Sequence, residues 1–238
     1  MISTHALLLV VIFLAVFTQS LAGFGVALVA MALLPDLIGI QRATPLVALV
    51  GLTLEFFLLL RYREALNINA IWRVALASII GIPLGIWVLK SVSDRLVLLG
   101  LGVVIAGYAI YALLDLHLPS LEKSAWAYGF GLGAGMLGGA YNTSGPPVII
   151  YGNCRRWLPA EFKSNLQGFF MLNSILVVIG HVINQTLTPV VWEDFLWVLP
   201  AVGLGIITGI SLDRYLDPLR FRKVVLWLLV AMGLRLIF

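Results

Sequence analysis

Charge is what this sequence has least of. Only 11% of its 238 residues are Asp, Glu, Lys or Arg, against roughly 25% in a soluble domain, and that scarcity excludes an ordinary water-soluble fold. Cysteine is almost missing. Cys154 stands alone, so no internal disulfide and no thiolate metal site can form, and the thiol reads as a small buried or interfacial residue. The chain has no HExxH pair, no GxSxG elbow and no paired intramembrane aspartates, which leaves Ser144 without an evident base and argues against an enzyme. Nothing resembles a nucleic-acid module, no metal or cofactor is implied, and the loops are too short to hold a soluble domain. The opening "MISTHALLLVVIFLAVFTQSLAG" lacks the basic leading region of a secretory signal, and its apolar run continues to Leu34, so a retained first helix is expected.

What is present is apolar. Hydrophobic residues make up 61% of the chain and the mean hydropathy is +1.06. Apolar stretches lie near 5–34, 43–60, 70–89, 96–114, 125–152, 162–183, 190–212 and 219–237, and a helix needs about 20 residues to cross a bilayer. The expectation is an all-α integral membrane protein of about eight transmembrane segments, forming a single membrane domain over 1–238. With eight passes the loops alternate. One side then carries ten basic residues (Arg42, Lys90, Arg95, Arg155, Arg156, Lys163, Arg214, Arg220, Arg222 and Lys223) and the other five (Arg61, Arg63, Arg73, Lys123 and Arg235). The basic excess places the first side in the cytoplasm and both termini outside.

Sliding the sequence by 120 positions aligns Gly25 with Gly145, Thr44 with Ser164, Leu84-Gly85-Ile86 with Leu204-Gly205-Ile206, and Ser91 with Ser211; "SVSDR" and "ISLDR" fall at matching places. Two four-segment repeats are expected, 5–115 and 125–237, with the first segment of each broken near the midplane. The breaks are "SLAGFGV", Ser20 to Val26, and "GAYNTSGPP", Gly139 to Pro147. Interrupted segments at matching places in a repeat point to a transporter's binding site. Four spans per half make the repeats parallel, whereas a re-entrant hairpin at each break makes the count odd and the repeats inverted; the residues leave both open.

Non-helical backbone at membrane depth survives only where protein buries it or a wet cavity meets it. Ser144 or Thr143 suits an N-cap and Pro146 the first helical position, so a short half-helix should begin there. Gly23 and Gly25 let the other break bend, with Val26 to Leu34 as the matching half-helix. Helix N-termini offer free N–H groups and positive potential, which suits an anion. The solute is expected between Gly23-Phe24-Gly25 and Asn142-Thr143-Ser144-Gly145, with Gln19, Ser20, Tyr141 and Gln167 as second-rank contacts. The competing reading is that the small residues only permit close helix packing.

At 100° per residue Lys163, Gln167, Ser174 and His181 form one stripe, expected to face a cavity, with Asn165 opposite. Thr44, Ala48, Gly51 and Glu55 share another face. Glu55 is a candidate proton carrier, its rival readings being a structural hydrogen bond or snorkelling toward Arg61. His181 is a second candidate, with an ordinary interfacial histidine as the alternative. Trp72, Trp126, Trp192 and Trp197 read as interfacial anchors.

At "AGFGVALVAMALLP" and "GLGAGMLGGAYNTSGPPVIIYG" the chain resembles the sulfite exporter TauE/SafE family of bacterial membrane permeases, the Ser144 to Pro147 break being the more specific match. The resemblance covers nearly the whole length. It implies movement of a small sulfur oxyanion or organosulfonate, such as sulfite or sulfoacetate, across the bacterial inner membrane, coupled to an ion gradient. The residues themselves imply an anion; only the family supplies sulfur. An anion channel, a permease for a non-sulfur organic anion and a scaffold subunit are the rival readings. The partners expected are the anionic solute and the lipid bilayer, with a homodimer left open and no nucleic acid.

Overall fold

Lipid offers a backbone amide no partner, so a long apolar run must satisfy its own hydrogen bonds, and this chain does so with helix. The computed structural model describes residues 4–115, 118–212, 215 and 217–238. The Asp213-Arg214 part of the second Ser/Asp/Arg turn lies outside the described residues. The helices are α1 (Thr4–Ala22), α2 (Val26–Ile38), α3 (Ile40–Tyr62), α4 (Ile68–Ser91), α5 (Asp94–Leu113), α6 (Trp126–Tyr141), α7 (Gly145–Cys154), α8 (Pro159–Ile183), α9 (Pro189–Leu212) and α10 (Pro218–Ile237), and no strand occurs among the described residues. Six of them, α1, α3, α4, α5, α8 and α9, are long and apolar enough to cross a membrane. α6 has only 16 residues, and α10 carries Arg220, Arg222, Lys223 and Arg235. The chain is a multi-pass membrane protein.

Its helices cluster into two compact units, neither of which is one half of the sequence. One comprises 1–50, 92–116 and 186–238; the other 51–91 and 117–185. In the first, α9 packs on α1 through glycine: a methyl on Gly205 would meet Val16, and one on Gly209 would meet Ser20 Cβ at 2.5 Å. In the second, α4 and α6 approach so closely that a methyl on Gly81, Gly85, Gly131 or Gly139 would strike a carbonyl oxygen of the facing helix. Small residues four apart give this approach in membranes, so most glycines of "GLGAGMLGG" serve packing.

Each broken segment folds back on itself. In the first unit α1 runs parallel to α9, Val16 at Gly205 and Ser20 at Gly209, and the His5 ring meets Trp197 at 5.7 Å. α2 then returns parallel to α10: Phe24 lies by Arg222, and Asp36 pairs with Arg235 at 2.8 Å. Arg42, just after α2, pairs with Asp194 near the start of α9. In the second unit α6 runs along α4, Gly131 on Val74 and Gly139 on Ile82. α7 brings the chain back to where α6 began: Leu121 N–H donates to the Cys154 carbonyl at 3.0 Å, and Arg155 donates to the Leu121 and Glu122 carbonyls at 2.6 and 2.8 Å.

These pairs correct the eight-pass loop alternation. Arg42 and Asp194, Asp36 and Arg235, and Arg155 and Leu121 would each be separated by a hydrocarbon core about 30 Å thick, yet all are in contact. The physical reason is the turn chemistry, Gly23 and Gly25 at φ 82° and 117° and Asn142 at φ 56°, which reverses the chain instead of kinking it. Measured along α9 and α4, both turns lie past the middle of the helix they pack on.

Candidate functional site

At the first turn the chain leaves α1 with Gly23 N–H donating to the Gln19 carbonyl at 2.7 Å. α2 starts under a side-chain cap: Gln19 Oε1 accepts the Val26 amide at 2.9 Å. Gln19 is 2% exposed, so its carboxamide holds the helix end and one N–H expected to face the solute is already occupied. Gly23 has open space where a side chain would stand. Ser20 is buried, and its hydroxyl has no partner. Phe24 is nearly buried, edge-on to Tyr108 at 6.0 Å.

The second turn is closed differently. Asn142 N–H donates to Gly138 O at 2.8 Å and Thr143 N–H to Leu137 O at 3.2 Å, which satisfies the last carbonyls of α6. Ser144 takes the N-cap position of α7 without making a side-chain cap bond. Pro146 and Pro147 bring no N–H, so the amides at this helix end are fewer than at α2. Thr143 is 1% exposed, and its hydroxyl has no partner. Tyr141 is buried, and Gly145 faces the Phe170 ring, 3.5 Å from where its Cβ would stand.

The polar stripe of α8 is buried at Gln167 and His181, both 0% exposed, which rules out an interfacial histidine. It meets protein where a cavity was expected: Ser174 Oγ is 3.8 Å from where a Gly51 Cβ would stand, and the Lys163 ammonium sits 5.5 Å over the Tyr62 ring. Asn165, on the other side, accepts Asn67 N–H at 2.8 Å, and the Ser164 hydroxyl donates to Tyr62 O, so both tie α8 to the α3–α4 connection. Glu55 is 3% exposed, which excludes snorkelling, and Thr44, Ala48 and Gly51 are buried with it.

Two residues escaped the sequence reading. Asn173 is 3% exposed, its carbonyl oxygen has no partner, and its amide lies 2.8 Å from where a Gly138 Cβ would stand, beside Ser144. Arg222 belongs to the first turn, its guanidinium 5.3 Å from the Phe24 ring centroid. Only the inward face of each was legible in spacing. Leu166, Phe170, Asn173 and Val177 lie on one buried face of α8, and Arg222, Leu226 and Leu229 on one of α10, whereas Lys223 is exposed. Among the described residues no group of His, Cys, Asp or Glu suits a metal ion.

Comparison with known proteins agrees with a membrane permease. A curated relative, the "Probable inner membrane transporter protein TsaS" of Comamonas testosteroni, is 26% identical over 159 residues, which span 66% of this chain and 66% of that relative's length. No solved structure matches. The family profile described as "Sulfite exporter TauE/SafE" covers residues 8–236, and the chain therefore belongs to the sulfite exporter TauE/SafE family of membrane transporters.

Proposed function

We propose that the protein is a secondary transporter moving a small anion, a sulfur oxyanion or organosulfonate, across the bacterial inner membrane by alternating access. The observation that carries this reading is the pair of reversed segments, each of which ends a helix, starts another inside the protein and keeps a buried hydroxyl, Ser20 or Thr143, without a partner. Positive helix ends favour an anion without a buried lysine. Family membership supplies the sulfur chemistry. Residues Gly23, Phe24, Gly25, Ser20 and Gln19 would serve one turn, and Tyr141, Asn142, Thr143, Ser144, Gly145 and Gln167 the other, with Glu55 and His181 as proton-coupling groups.

Hairpins also change the expected topology. A hairpin returns the chain to the face it left, and α3, α4 and α5 are three single passes, an odd number, so the second hairpin opens from the opposite face. The ten helices then read as two five-helix series of inverted sense, each helix about 120 positions from its counterpart. Counting passes in this way leaves only Arg42, Lys90, Arg95 and Arg235 of the 15 basic residues on the face of the termini. The basic excess is steeper than eight passes give, and it again directs the termini outward.

The test is uptake of labelled sulfite and methanesulfonate into proteoliposomes, with and without a pH gradient. Saturable uptake competed by either anion is the expected result. Unsaturable flux that follows voltage alone would make the protein a channel, and no flux of either anion would refute the reading.

A further inference from the structure

Arg222 sits one turn into α10, where a basic residue near the end of a membrane helix ordinarily anchors in headgroups. Its surroundings do not suit that role. The guanidinium lies over the Phe24 ring at 5.3 Å, the ring is held edge-on by Tyr108, and Arg222 Nε is closed from solvent with no hydrogen-bond partner. Among the described residues no carboxylate pairs with it, although Arg220, two residues earlier, pairs with Asp217 at 3.2 Å and Arg235 with Asp36 at 2.8 Å. The Tyr108 hydroxyl lies within hydrogen-bonding reach of the guanidinium, yet Nε itself has no acceptor; a desolvated charged donor left so is costly, and an anion would supply the acceptor that Nε lacks.

A cavity adjoins it, lined by Thr18, Phe24 and Gly25 at the turn and by Arg222, Leu226 and Leu229 of α10. About 10 Å³ is open to the centre of a water molecule, room for about one water. A three-oxygen head is larger, so admitting one requires the turn to give. The turn can do so, because Gly23 has nothing within 4 Å of where its Cβ would stand. The wall of this cavity is apolar while the turn is closed, so the same movement must bring the guanidinium's in-plane donors to it; the stack on Phe24 uses a face of the guanidinium, and two parallel in-plane hydrogen bonds are the geometry in which Arg recognises oxyanions and Lys does not.

From the cavity, the stacked ring and the partnerless Nε we propose that Arg222 recognises the charge of the transported solute at the Gly23–Gly25 turn, gripping a sulfite- or sulfonate-type head in the plane of its guanidinium. This inference rests on the anion-transport reading above. Phe24 is the positioning residue, fixing the plane of that guanidinium.

The experiment is initial-rate uptake of labelled sulfite and methanesulfonate by the full chain in proteoliposomes, comparing wild type with Arg222→Gln, Arg222→Lys and Phe24→Leu. Loss of a bidentate charge-assisted pair should cut Arg222→Gln uptake at low solute by about tenfold or more. Arg222→Lys, which keeps the charge any topology signal needs, should raise the half-saturation concentration about as much with little change in maximal rate. Phe24→Leu should raise it about threefold, below the full loss of the pair. Wild-type kinetics in Arg222→Gln would overturn the inference while leaving anion transport standing, whereas a wild type that moves neither anion would overturn both. Should Arg222→Gln fail to reach the membrane, an unchanged half-saturation concentration in Arg222→Lys overturns the inference in its place.

Discussion

Replacing Gln19 separates the structural part of the first turn from its functional part. Gln19 Oε1 accepts the Val26 amide at 2.9 Å, and Gln19 and Val26 are 2% and 5% exposed. In Gln19→Leu that amide has neither the carboxamide nor water, and an orphaned buried donor costs about 1–3 kcal/mol. Taking about 2 kcal/mol, the melting temperature of a chain this size should fall by about 4–8 °C. Gln19→Glu keeps an acceptor at the same place and adds a negative charge at a helix N-terminus, a favourable position worth about 0.3–1 kcal/mol, so its melting temperature should hold. The same charge repels an arriving anion, and uptake should drop about tenfold or more. Thermal unfolding in detergent and sulfite uptake in proteoliposomes read the two effects separately. A Gln19→Leu protein melting within about a degree of wild type would refute the capping role; wild-type uptake by a folded Gln19→Glu protein would refute the approach of an anion to α2.

Ser144→Ala should lower uptake about tenfold at unchanged melting temperature, and normal kinetics would remove Ser144 from the path; leucine, the coarser replacement, overpacks a position only 5% exposed. Arg42→Ala strands the Asp194 carboxylate, which is 2% exposed and held by two bonds of 2.5 and 2.6 Å, and should cost about 3 kcal/mol. The Arg42→Met/Asp194→Leu double variant should recover most of that in a double-mutant cycle, and strict additivity of the single effects would contradict a coupled pair. Glu55→Gln should abolish the response of uptake to a pH gradient while solute binding persists; an undiminished response would exclude Glu55 as the coupling group.

Helix content and the places where helix fails were both legible in the residues. Runs of apolar side chains permit only self-satisfied backbone in lipid, and Gly23-Phe24-Gly25 and Asn142-Thr143-Ser144 are where no helix can continue cheaply. The burial of Glu55 followed from its spacing with Thr44, Ala48 and Gly51. What spacing could not give was the fate of the chain after each break, because glycine takes either sign of φ and asparagine enters the left-handed region only in some settings, so the residue types alone are equally compatible with a kinked span and a reversed one.

Composition and local propensity thus settled by themselves that this is a membrane protein built of helices with two interruptions, since both depend on how each residue meets lipid or fixes its own φ. Tertiary structure alone decided that the interruptions are hairpins, that Gln19 caps α2, and that Arg222 belongs to the first turn. Each of these joins residues far apart along the helices or the chain, such as Asp36 with Arg235 and Phe24 with Arg222, and the free energy that selects such pairs comes from packing and charge complementarity that no local stretch of sequence contains.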